Sequence, residues 1–70
     1  LAIGLLAVLE NSAREQGFKF LEVDVRETQA AAISILESNG YEKWAVKQNY
    51  AWNGERYVDG YYYKKQLADL

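Results

Sequence analysis

Asn53-Gly54 lies between two long runs rich in aromatic and β-branched residues, Tyr41 to Trp52 and Arg56 to Gln66, and nothing else in the chain limits its folding as strongly. Asn-Gly favours a type I′ turn, because both central residues then need positive φ. The expected hairpin sets Trp52 against Glu55, Tyr50 against Tyr57, Val46 against Tyr61 and Trp44 against Tyr63. That register stacks aromatic and β-branched side chains in cross-strand pairs. It also opposes Lys43 to Lys64, a like-charge pair that invites a bulge somewhere along the ladder.

The segments before the hairpin alternate in type. Leu1 to Gln16 reads as a helix, with Leu5, Leu6, Leu9 and Ala13 at helical spacing and Glu10–Arg14 as an i,i+4 pair on the other side. Its first nine residues are apolar on nearly every face, so the helix expects cover on more than one side. Gly17 suits the C′ position, followed by Phe18. Phe18 to Val25 reads as a strand in which Leu21, Val23 and Val25 alternate with Glu22 and Asp24. Arg26 and Glu27 lead out of it, and Thr28 is the expected N-cap of a helix over Gln29 to Asn39. Ala32, Ile33 and Leu36 form that helix's buried stripe, and Gly40 ends it.

The order helix, strand, helix, strand, strand describes one small α/β (α+β) domain without repeat, linker or proline. Seventy residues bury only about 60% of the surface they expose when unfolded, a smaller share than larger domains bury. Neither cysteine nor histidine is present, which removes disulfides, thiolate and imidazole metal ligands, and the commonest general base near neutral pH. No metal is therefore expected. A formal net charge of −2 leaves no basic footprint for nucleic acid. Leu1 to Leu9 is too short to span a bilayer and has no basic flank before it, so a membrane partner is not expected either, and a cytoplasmic setting is the default.

From Gly17 onward the chain resembles the second half of a GNAT N-acetyltransferase domain. The stretch from Thr28 to Tyr41, TQAAAISILESNGY, parallels the family pattern N-x-x-A-I-x-L-Y-E-x-x-G-F, with Ala32, Ile33, Glu37 and Gly40 matching and Tyr41 in the aromatic place. The tail from Tyr57 to Gly60 and on through Lys65 and Leu67 is similar to the family's closing strand. The resemblance implies a three-stranded mixed sheet with the last strand central. It also implies acetyl transfer from acetyl-CoA to a primary amine by direct attack on the thioester. Family members bind the coenzyme pyrophosphate with an R/Q-x-x-G-x-G/A loop that runs into the first helix. Leu1 and Ala2 fall on its last two positions, so Leu1, Ala2 and Ile3 are the expected cofactor-binding backbone, and the chain is expected to be the C-terminal portion, 1–70, of a domain whose other half lies outside it. Gln29 takes the place of the family's Asn beside the pantetheine arm.

Leu36 departs from the pattern, since it stands where the family has the Tyr that protonates the departing thiolate. No catalytic residue is assigned in its place; Tyr41, Tyr50 and Tyr62 are the candidate hydroxyls, and solvent is an alternative. Glu22, Asp24 and Glu27 are candidate bases, although the family commonly takes its base from the other half. Tyr50 and Trp52, next to the hairpin turn, are the candidate substrate-binding residues, because aromatic faces hold amines. Two classes of function remain open: an enzyme half-domain, and a non-catalytic remnant or interaction module that self-associates. In either, the expected partner is an identical copy, giving a homodimer, or a chain that supplies the N-terminal half.

Overall fold

The computed structural model describes residues 3–69, which run α1 (Ile3–Glu15), β1 (Phe20–Arg26), α2 (Ala30–Ser38), β2 (Glu42–Trp52) and β3 (Tyr57–Gln66). Glycine ends both helices by one device. Gly17 and Gly40 take φ of 83° and 88°, a left-handed conformation in which a Cβ would be strained. After α1, the Gly17 N–H donates to the Arg14 carbonyl and the Phe18 N–H to the Ala13 carbonyl, both at 3.0 Å. After α2, the Gly40 N–H reaches the Glu37 carbonyl at 3.3 Å and the Tyr41 N–H the Leu36 carbonyl at 3.0 Å. These are Schellman closures, which satisfy carbonyls that a helix end leaves unpaired. The start of α2 differs from expectation. Gln29, not Thr28, is the N-cap, and it makes no side-chain capping bond. The reason is the tight exit from β1, where the Gln29 N–H donates to the Arg26 carbonyl at 3.0 Å and leaves Thr28 inside the turn.

The strand order is β1-β3-β2, so the last strand is central as expected. Both pairings are antiparallel, which corrects the expected mixed sheet: β1 and β2 run the same way but are not neighbours in the ladder. The hairpin register is also corrected at both ends. Val46 does face Tyr61, but Trp52 faces Tyr57 and Lys43 faces Tyr63. At the tip, the Asn53 Oδ1 accepts the Glu55 and Arg56 N–H groups at 2.9 Å each, and the Asn53 N–H donates to the Arg56 carbonyl at 3.1 Å. An asparagine that folds onto its own backbone makes a longer loop than a two-residue turn. Two irregularities then absorb the difference, with Trp44 extra between Lys43 and Ala45, and a larger one between Lys47 and Ala51. The first resolves the like-charge clash, since the Lys43 ammonium now lies 4.2 Å from the centroid of the Tyr61 ring.

Leu6, Val25, Leu36, Tyr41 and Tyr63 form the core, with Leu21, Val23, Ala32, Ile33, Ile35 and Tyr61 packed against it. Both helices therefore contribute to the same hydrophobic cluster. The sheet-facing stripe of α1 is not the one expected: Leu6, Glu10 and Ala13 are buried, while Leu5 and Leu9 stay 55% and 44% exposed. Glu10 does pair with Arg14, at 3.6 Å, but from the buried side of the helix. Its Oε2 accepts the Tyr41 hydroxyl at 2.8 Å and its Oε1 the Lys65 ammonium at 3.0 Å. A carboxylate goes inside only when paired and hydrogen-bonded, and those partners explain the inversion.

Burial works to raise the Glu10 carboxyl, but the bonds from Tyr41 and Lys65 and the charges of Lys65 and Arg14 outweigh it, so it sits below its ordinary value of 4.5. Its neighbour moves the other way, as burial and the Glu10 bond push the Tyr41 hydroxyl up. A depressed carboxyl stabilises the fold above its unfolded-state value and stops doing so as pH falls through its folded-state value. Glu10→Gln is expected to cost about 1–3 kcal/mol at pH 7, the range for unmaking a buried charged hydrogen bond. In urea unfolding, the gap between native and variant should be full above about pH 5 and shrink on acidification.

Candidate functional site

The first candidate position is the start of α1. Leu1 and Ala2 lie outside the described residues, and Ile3 is the first residue of the helix. No acidic residue occupies the first turn, and a Cβ on Gly4 would meet nothing within 4 Å. The free N–H groups of that turn and the helix dipole favour an anion there, and among the described residues no acidic side chain lies in the first turn and no atom crowds Gly4. Gln29 stands at the other junction, where β1 becomes α2, and its Oε1 accepts the Arg26 N–H at 3.3 Å. Its carbonyl is thus used locally.

The second position is the sheet face opposite the helices. Alternation along β1 and β3 turns Val23, Val25, Tyr61 and Tyr63 towards the helices and Asp24, Gly60 and Tyr62 away from them. There the Tyr50 hydroxyl donates to Asp24 Oδ2, crossing from β2 over β3 to β1. The Tyr50 ring meets Tyr62 edge-on at 6.3 Å, and Tyr62 meets Trp44 at 6.0 Å. The bond to Asp24 is the main influence that raises the Tyr50 hydroxyl. Trp52 does not join this group. It packs edge-on against Tyr57 at 5.2 Å, more than half exposed at the hairpin tip.

The structure sorts the other candidates. Leu36 is wholly buried core. Tyr41 is sealed inside with Glu10, whereas Tyr62 lies on the open face, its ring between those of Tyr50 and Trp44. Tyr63, which is not among the candidates, is buried, its hydroxyl pushed up to about 12 chiefly by burial and donating to Glu37 at 2.8 Å. Among the carboxylates, Glu27 is spent on backbone: its Oε2 accepts the Asp59 N–H at 2.7 Å and its Oε1 pairs with Arg56 at 3.4 Å. Glu22 lies opposite Lys64 in the ladder. Asp24 is the one placed beside an exposed-face hydroxyl. Asn49, Asp59 and Gly60, which frame Tyr50, were not legible as site residues; the only signal was a lone glycine in an aromatic strand. Among the described residues no group of acidic side chains is arranged to hold a metal, and no helix is long and apolar enough to cross a membrane.

No family model and no curated protein matches the chain. Solved structures do. The Escherichia coli ribosomal-protein-S18-alanine N-acetyltransferase superposes at a TM-score of 0.88 with 25% identity, over 96% of this chain and 43% of that one. The Brucella melitensis ribosomal-protein-alanine N-acetyltransferase gives 0.79 and 27%, over 90% and 39%. The Salmonella typhimurium protein yncA, solved with its cofactor acetyl-CoA, gives 0.86 and 24%, over 96% and 39%. The chain has the GNAT acetyltransferase fold. It spans about two-fifths of the length of each of these GNAT structures. The α1-β1-α2-β2-β3 order with β3 central is that of a GNAT half-domain.

Because Leu36 is wholly enclosed, a tyrosine does not fit in its place without displacing core atoms. Leu36→Tyr is expected to destabilise the fold by about 1–3 kcal/mol through overpacking. A lowered melting temperature by circular dichroism checks it; an unchanged one would mean that room exists beside Leu36.

Proposed function

We propose that the chain carries the coenzyme-binding part of a cytoplasmic N-acetyltransferase, which moves acetyl from acetyl-CoA to a primary amine. What supports this reading most is the superposition over nearly the whole chain on the S18-alanine N-acetyltransferase. Acetyl-CoA is a co-substrate here, and the open, acid-free first turn of α1 suits its pyrophosphate. Leu1, Ala2 and Ile3 would donate backbone N–H groups to it, and Gln29 would lie along the pantetheine arm. Tyr50 would contact the acceptor, with Trp52 beyond it at the hairpin tip.

In the reaction the amine nitrogen bonds to the thioester carbon and the carbon–sulfur bond breaks. The proton lost by the attacking nitrogen goes to a carboxylate; Glu22 and Asp24 both lie on the open sheet face, and Asp24 is the one that a neighbouring hydroxyl already holds. The departing thiolate takes its proton from a hydroxyl or from water, since Leu36 has none to give. The remainder of the acceptor site comes from a further segment, in the same polypeptide or in another chain, which would seat on the exposed residues Leu5, Val8 and Leu9 of α1 and Phe18 and Phe20 at the start of β1. A non-catalytic, self-associating module is the second reading, favoured only by the burial of Leu36 where a proton donor is expected.

A CoA-release assay with a panel of primary amines tests the proposal. The 70-residue chain alone is expected to show no turnover above background, since catalysis by positioning needs both substrates held. Supplied with the rest of the domain it should turn over, and Asp24→Asn should then lose about a hundredfold or more in kcat, the usual contribution of a general base. Failure of the complete domain to bind acetyl-CoA by calorimetry would favour the non-catalytic module.

A further inference from the structure

The irregular stretch of β2 is built with more care than a hairpin needs. Between the Lys47–Gly60 and Ala51–Val58 pairs, Gln48, Asn49 and Tyr50 oppose Asp59 alone. Such a bulge leaves backbone groups without ladder partners, and an ordered one must find them elsewhere. Asn49 has φ of 54°, a left-handed conformation that asparagine tolerates better than most side chains. Its N–H donates to Asp59 Oδ1 at 3.3 Å. Asp59 is held in turn from the residue that follows β1, giving its N–H to Glu27 Oε2 at 2.7 Å and accepting the Glu27 N–H on its carbonyl at 2.8 Å. All three strands are thereby tied at one end of the sheet.

The product of this clamp is the position of Tyr50. Its ring packs against Gly60, where an added Cβ would fall 2.9 Å from the Tyr50 Cβ and overlap the ring itself. Tyr62 closes the ring from the side, edge-on. A carboxylate on an exposed strand ordinarily samples several rotamers. Here a hydroxyl on a fixed ring holds one oxygen of Asp24, and the other is left to meet a partner.

We propose that Tyr50 is a positioning residue for the Asp24 carboxylate, seated on Gly60 by the bulge that Asn49, Asp59 and Glu27 lock. This rests on the reading of Asp24 as proton acceptor. A base works only within hydrogen-bond reach of the proton it takes, so fixing Asp24 acts on kcat and leaves coenzyme binding alone. The role differs from simple support of the fold, because the hydroxyl can be removed while the ring stays packed.

The test uses the complete acetyltransferase, with acetyl-CoA and an amine that it turns over. Tyr50→Phe is expected to lower kcat about tenfold or more, with KM for acetyl-CoA and the melting temperature unchanged. It should also move the side-chain carboxyl ¹³C signal of Asp24. Gly60→Ala should lower both kcat and melting temperature, because the ring must leave its seat. Adding Tyr50→Ala to Gly60→Ala should restore the melting temperature and not kcat. Native kcat in Tyr50→Phe, with Asp24→Asn inactive, would overturn the positioning role. An unmoved Asp24 signal in Tyr50→Phe would overturn it equally. Full activity of Asp24→Asn would instead overturn the reading of Asp24 itself, and the carboxyl signal in Tyr50→Phe tells the two failures apart.

Discussion

Every strand–strand pairing among the described residues is made by β3. A buried strand must find partners for its backbone on both edges, and β3 does so because β1 and β2 flank it. Its side chains then face two ways at once. Tyr61, Tyr63 and Lys65 turn to the helices, where Tyr63 is almost fully buried and Lys65 reaches Glu10. Gly60 and Tyr62 turn to the open face, where they shape the surroundings of Tyr50. One strand therefore sets the core and the candidate site together. A shift of its register by one residue would exchange the two faces and destroy both.

The link between the helical layer and that strand is polar. Glu10 on α1 is joined to Tyr41, at the entry to β2, and to Lys65 on β3, with Arg14 on its solvent side. An apolar side chain at the same place would slide against its neighbours, whereas a carboxylate with two donors has one satisfactory position. Networks of this kind are worth keeping only when every member is satisfied, and no buried side-chain polar atom among the described residues lacks a partner. The orientation of α1, and with it the direction in which its first turn points, depends on this cluster more than on the sparse apolar stripe of Leu6 and Ala13.

Features that arise within a few residues were legible in the sequence. Gly17 and Gly40 ended the helices, and the alternation of Leu21, Val23 and Val25 against Glu22 and Asp24 marked β1. What failed were choices between local and distant partners. Asn53-Gly54 pointed to a two-residue turn, but the Asn53 side chain bonds its own loop, and the register moved with it. Glu10 looked like half of a surface ion pair because its true partners, Tyr41 and Lys65, are 31 and 55 residues away. The candidate site shows the same division. Tyr50 was legible as an aromatic beside the hairpin, while its pairing with Asp24 and its seat on Gly60 depend on a bulge that no local pattern announces.

The two candidate regions make different demands on the chain, and the fold separates them accordingly. An anion site at the start of a helix needs only backbone N–H groups held still, so α1 is free to choose its side chains for packing. It uses Leu6, Glu10 and Ala13 against the sheet and presents Leu5, Val8 and Leu9 outward. Phe18 and Phe20 extend that apolar surface to the start of β1, whose outer edge carries no partner among the described residues. A domain this small gains little from its own core, so covering such a surface adds materially to its stability. The site on the opposite face needs fixed side chains instead, and there the chain invests in a bulge, a glycine and three strands tied through Asp59. On the proposed reading, coenzyme binding falls to the element most open to completion by further structure, and proton handling to the part of the sheet where the strands are tied together.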